Sequence, residues 1–128
     1  MRLLIIGAMS GQIGAASKIA VSRGAQVAQS DNIESGLEAL RNGRGADLVM
    51  IDVGLDIRSF CTSLQQERFS TTVVACGVGT DAEAAVNAIR AGAKEYLPLP
   101  PEPELIAAVL EAVTEEAKKA AAQTEQAA

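Results

Sequence analysis

The chain has 128 residues, 48% of them apolar, with 2% aromatic residues and a formal charge of −5. That is the size of a single domain with its own core, and it provides neither the basic patch nor the stacking platform that direct nucleic-acid binding uses. With no histidine anywhere, the Ser-His-Asp and Cys-His couples and histidine metal sites lose their usual parts.

Short β-branched runs alternate with segments of helical period along the chain. "LLII" at 3–6, "AQVAQ" at 25–29, "DLVMID" at 47–52, "TVVAC" at 72–76 and "EYLPL" at 95–99 predict five strands. Between and after them the pattern predicts helices at about 11–23, 32–42, 56–67, 81–91 and 102–120. Gly24, Gly43, Gly45 and Gly92 fall where these helices should stop, as left-handed caps. Such alternation implies parallel strands joined by right-handed crossovers, and hence an α/β fold: a doubly wound, five-stranded parallel sheet in three layers. The last helix opens on "PPEPE", with Leu105, Val109 and Ala112 at core-facing spacing. Past about residue 115 the apolar stripe gives way to alanine, glutamine and charge, which suits a helical or disordered tail over 116–128.

Apolar runs are no longer than about eight residues, too short for a membrane span, and the start lacks a secretory pattern, so a cytoplasmic location is expected. Cys61 and Cys76 read as small buried apolar groups in preference to a disulfide. Nothing in their spacing suggests a metal or other cofactor.

Three glycines, Gly7, Gly11 and Gly14, follow the first strand. One reading is a phosphate-cradling turn of a nucleotide- or dinucleotide-binding domain, with Asp31 beyond the second strand as the ribose-binding acid. The plainer reading is a tight strand-to-helix turn with close helix packing.

The later half carries a more specific pattern. "GADLVMID" places Asp52 at the end of the third strand, "VVACGV" ends the fourth, and "AIRAGAKEYLPLPP" runs through the fourth helix and fifth strand. Over about residues 1–115 this resembles the receiver domain of bacterial two-component response regulators. Within that family it is similar to the N-terminal domain of alpha-proteobacterial flagellar activators that work with sigma-54. The resemblance implies the flavodoxin-like strand order and a phosphoacceptor at Asp52. It also implies two acids after the first strand that help hold magnesium, but that region reads Gly7, Ala8, Met9, Ser10, and no acid precedes Asp31. The family's hydroxyl residue falls on Gly77 and its lysine on Leu99. The expectation is a pseudo-receiver in which Asp52 has either a structural or a residual chemical role.

Further roles are implied by position. Tyr96 falls where receivers carry a rotating aromatic switch, or else it closes the core edge. Leu99, with Pro98, Pro100 and Pro101, forms an apolar turn, buried or in a contact surface. Ala84, Ala88 and Ala91 form a helical stripe that would admit a partner helix, or simply favour helix. The resemblance implies a non-enzymatic regulatory domain contacted by a trans-acting regulatory protein of flagellar assembly. Homodimerisation is a further option, and the effector ATPase and DNA-binding domains would lie outside this chain. The alternatives are the nucleotide-binding domain above or a receiver still phosphorylated at Asp52.

Overall fold

The computed structural model describes residues 2–7, 12–43, 46–69, 71–78, 82–99 and 102–127, with side chains described in these ranges except at 12, 13, 78 and 116–127. Five strands and five helices alternate: β1 (Arg2–Ile6), α1 (Gln12–Ser22), β2 (Gln26–Ser30), α2 (Ile33–Asn42), β3 (Leu48–Asp52), α3 (Ile57–Gln66), β4 (Thr72–Val78), α4 (Ala82–Ala91), β5 (Glu95–Leu99) and α5 (Pro103–Ala127). All strand pairs are parallel, in the order β2-β1-β3-β4-β5. The expected doubly wound sheet is therefore present, with its strand order reversing between β1 and β3.

The period-2 pleat sorts the apolar runs onto two faces. Leu3, Ile5, Leu48, Met50, Val74, Cys76, Leu97 and Leu99 pack with Ala16 and Ala20 of α1 and with Ile106, Val109, Leu110 and Val113 of α5. Leu4, Ile6, Val49, Ile51, Val73 and Ala75 pack on the other face beneath α2, α3 and α4. Both faces of the three inner strands are thus covered, which is why those strands read as unbroken apolar runs. β2 lies at an edge and is mostly exposed, in keeping with its polar "QVAQS".

Local signals explain where helices begin. Asn32 caps α2 by accepting from the Ser35 N–H at 2.8 Å, and Asp56 caps α3 by accepting from the Ser59 N–H at 3.0 Å. α5 starts at Pro103, whose missing N–H costs nothing in a first turn. Two helix stops match the expected left-handed caps, Gly24 (φ 92°) and Gly92 (φ 123°). Gly43 does not: it is extended (φ −99°, ψ −161°), its N–H bonding Ala39 O. Gly45 lies outside the described residues.

Two features of α5 differ from expectation. It runs as one helix of 25 residues to Ala127, past the expected end near 120. Its inward face is Ile106, Val109, Leu110 and Val113, whereas Leu105 is 37% exposed and Ala112 is also exposed. The core-facing stripe is thus displaced by one residue from the spacing expected at Leu105 and Ala112, because Ile106 and Val113 meet the sheet. Among the described residues no helix is long and apolar enough to cross a membrane.

Candidate functional site

In an open parallel sheet the functional crevice lies at the carboxyl ends of the strands, where the strand order reverses. Here those ends are Gly7 after β1, Asp52 at the end of β3 and Gly77 near the end of β4. Gly7 is buried with φ 148°, a conformation L side chains rarely adopt, and its N–H donates to Ser30 O at 2.9 Å, tying β1 to β2. Asp52 is half-buried, and its Oδ1 accepts from the Gly54 N–H at 2.8 Å in a local turn. The Val53 N–H donates to Cys76 O at 2.8 Å, so the ends of β3 and β4 stay laced together beyond Asp52. The Cys76 thiol is pushed up to about 12, first by burial and then by the negative charge of Asp52. It remains a neutral apolar group at any ordinary pH. Burial also raises the Cys61 thiol. Both cysteines are unbridged and buried, on opposite faces of the sheet.

Gly77 is buried, and a Cβ there would lie 2.5 Å from the Tyr96 hydroxyl oxygen, 2.8 Å from Val53 Cγ1 and 3.2 Å from Tyr96 Cζ. The half-buried Tyr96 ring therefore turns inward, over the junction of β3 and β4. Leu99 is 6% exposed and packs in the core beside α5, which resolves its two readings in favour of burial. Pro98 is half-buried on the outer strand β5. Ala8, Met9, Ser10, Gly11, Pro100 and Pro101 lie outside the described residues.

The alanine stripe of α4 requires a correction. Ala88 is 3% exposed and belongs to the core; Ala84 and Ala91 are half-buried, and Ala91 packs on the same face. The stripe faces α3 and the β3–α3 turn, where it lines a shallow groove with Val53, Leu55 and Ile57. The outward face of α4 instead shows Val86 and Ile89, 47% and 45% exposed. These two were missed in the sequence. The available signal was their i, i+3 spacing on the side of α4 opposite Ala84, Ala88 and Ala91.

The Caulobacter vibrioides transcriptional regulatory protein FlbD is 51% identical to this chain over 118 residues, which is 92% of the chain and 26% of FlbD. The chain thus spans about a quarter of that relative's length. A crystal structure of NtrX from Brucella abortus in complex with ADP superimposes with a TM-score of 0.83 at 22% identity, covering 98% of this chain and 28% of that one. A CheY-like receiver domain protein from Methanospirillum hungatei superimposes with a TM-score of 0.73 at 20% identity, covering 92% and 97% respectively. The chain has the fold of a response-regulator receiver domain. No protein-family model matches it.

A receiver domain implies a magnesium ion beside its phosphoacceptor, and the residues here do not fit one. Magnesium takes oxygen ligands, with carboxylates as its main protein donors. Residues 7–10 supply no carboxylate, and one oxygen of Asp52 is already engaged by Gly54. Among the described residues no group of three or more Cys, Asp or Glu side chains could hold a metal. Asp52 lies at the crevice, with Gly77 just beyond its register partner Cys76 on β4 and Leu99 buried at the end of β5. Asp31, the acid of the dinucleotide reading, is exposed just beyond β2.

Proposed function

We propose that this receiver domain is the non-catalytic, signal-receiving part of a cytoplasmic, sigma-54-dependent flagellar transcription activator. It is controlled by protein contact in place of aspartyl phosphorylation. The observation that carries this reading is the uncharged sequence at residues 7–10 together with Gly77 and the buried Leu99. Phosphoryl transfer sets an anionic donor against an anionic carboxylate, and catalysis depends on a metal and a fixed cation to neutralise the developing charge. At this crevice the acid-pair region supplies Gly7 and three uncharged residues, and the lysine position holds a buried leucine. A phosphoryl group on Asp52 would also find no side-chain hydroxyl at position 77. The differential contacts that would let phosphate shift a two-state equilibrium are thus missing from those positions.

Identity of 51% to a transcriptional regulatory protein, of which this chain spans 26%, supports an output through effector domains outside the chain: an ATPase acting on sigma-54 polymerase and a DNA-reading module. The input is a trans-acting regulatory protein. Its proposed contact surface is the outer side of α4, where Val86 and Ile89 are exposed beside Glu83 and Arg90. An apolar centre with a charged rim is the usual make-up of a protein interface.

Heteronuclear NMR titration with magnesium and beryllofluoride tests the reading. The expected result is an unchanged spectrum. Saturable, magnesium-dependent shifts around Asp52 would establish the phosphorylated receiver instead. Calorimetry with NAD, NADP and ATP should show no binding; a dissociation constant in the low micromolar range would revive the nucleotide reading of Gly7 to Gly14.

A further inference from the structure

The contact between Tyr96 and Gly77 has a geometric consequence of its own. A ring on an outer strand has two places to go, outward along the edge or inward over the neighbouring strand, and the inward place exists only where the neighbour leaves space. Position 77 leaves it. With its hydroxyl oxygen 2.5 Å and Cζ 3.2 Å from where a Cβ would stand, the ring fills the volume that any other residue at 77 would claim. Val53 Cγ1, 2.8 Å from the same point, closes the seat from the β3 side. Because the Val53 N–H is bonded to Cys76 O, that side is itself held to β4. The ring therefore packs across two strand ends that are already joined.

We propose that Tyr96 is a permanently seated wedge: glycine at position 77 and the wall of Val53 hold its ring inward in every state of the domain, so the α4–β5 surface has one arrangement and does not switch. Occupying the inward place requires no ligand, since the seat is empty of side chain by sequence. A partner protein then reads a preformed surface on α4 and β5. This concerns the packing of the chain and stands apart from whether Asp52 accepts a phosphoryl group.

Tyr96 is the only tyrosine, and there is no tryptophan, so the intrinsic fluorescence of the 128-residue chain reports on this ring alone. The acrylamide quenching constant of the unmodified chain should lie severalfold below that of N-acetyltyrosinamide. Gly77→Ala should raise it severalfold toward that reference, with the far-ultraviolet dichroism kept. Quenching of the unmodified chain as free as the reference, or a folded Gly77→Ala chain with unchanged quenching, overturns the proposal. A second measurement in a Val53→Ala background, which removes the other close atom, covers the case in which Gly77→Ala does not fold. There Gly77→Ala should lower the melting temperature while Tyr96 is present and change it little alongside Tyr96→Leu; equal shifts in the two backgrounds overturn it. The single-arrangement claim is read by NMR relaxation dispersion over residues 82–99. Flat profiles are expected, and microsecond-to-millisecond exchange centred on Tyr96 refutes the wedge.

Discussion

α3 and α4 are both ten residues long and both cover the same face of the sheet, yet they are built in opposite ways. α3 buries Ile57, Phe60, Cys61 and Leu64, the i, i+3, i+4, i+7 stripe of an ordinary amphipathic helix, and leaves Arg58, Ser59, Thr62 and both glutamines in solvent. α4 buries Ala88 alone and turns Val86 and Ile89 outward. Burying the exposed parts of those two side chains would add about 2 kcal/mol, a gain that α4 forgoes in this chain. The comparison teaches that apolar spacing locates a helix without saying which face is inside. In α4 the small residues face the groove against α3, and the large ones are left exposed on the opposite side.

The sharpest way to break the comparison is to empty the α3 side. Phe60 is fully buried, and Phe60→Ala should cost about 3–5 kcal/mol in urea denaturation. A loss below about 1 kcal/mol would mean that α3 does not anchor this face. Next comes Ala88→Arg, which a surface reading of the alanine stripe would treat as harmless. At 3% exposure the guanidinium must be forced between α4 and the sheet. The expected loss is about 3 kcal/mol, from overpacking and a buried charge. A melting temperature equal to that of the unmodified chain would put the stripe back on the surface. The joint between α4 and β5 is tested by Gly92→Ala. Gly92 has φ +123°, and a Cβ there would sit 2.9 Å from both Cβ and Sγ of Cys61. About 1–3 kcal/mol should be lost through strain and contact together.

The outer face of α4 should behave in the reverse sense. Ile89→Lys should alter stability by no more than about 0.5 kcal/mol while abolishing pull-down of the regulatory partner; an intact complex with a normal dichroism spectrum would remove this face from the proposal. The smallest effect is expected at the solvent-exposed pair between Arg41, at the end of α2, and Glu67, just past α3, where Arg41 Nε lies 2.5 Å from Glu67 Oε1. The hydrogen bond from Arg41 leads the causes that hold the Glu67 carboxyl below its usual range. A carboxyl with a folded pKa below its unfolded one adds stability above the unfolded value, and that stability is lost as pH falls through the folded value. Thermal melts of the unmodified chain and Arg41→Met should therefore differ slightly near neutrality and converge in acid. A gap that widens toward low pH would contradict the pairing.

Much of the fold was legible because β1, β3 and β4 carry runs that only a doubly covered sheet accommodates, and because Gly24 and Gly92 sit where left-handed caps were needed. The stop of α3 was expected near 67 and falls at Gln66, but the residue that makes it was not legible. Its left-handed residue is Arg68 (φ 60°), a residue type with no special ease there, held by N–H bonds from Arg68 to Gln65 O and from Phe69 to Leu64 O. Asp52 could be placed at the end of β3 from its motif. The inward turn of Tyr96 could not, since it depends on the room at Gly77 and on Val53, which are brought together by the β3–β4 register and by nothing local in the chain. The outer face of α4 was hidden for a related reason. Alanine is both the best helix former and the best close-packing residue, so a stripe of it carries no sign.

Pro98 has a consequence for how copies of this domain can meet. It sits on β5, one of the two open edges of the sheet, where a missing N–H removes one of the few donors available to an incoming strand, and exposed Lys94 and Glu95 put charge at the start of the same edge. The opposite edge, β2, has no proline and no charged residue within Gln26–Ser30; only its short length blunts it. Sheet extension from molecule to molecule is therefore discouraged beside α4 and least guarded at β2. Crowded copies are free to associate through helices on the β5 side, while misassembly by strand addition would begin at the far margin of the sheet.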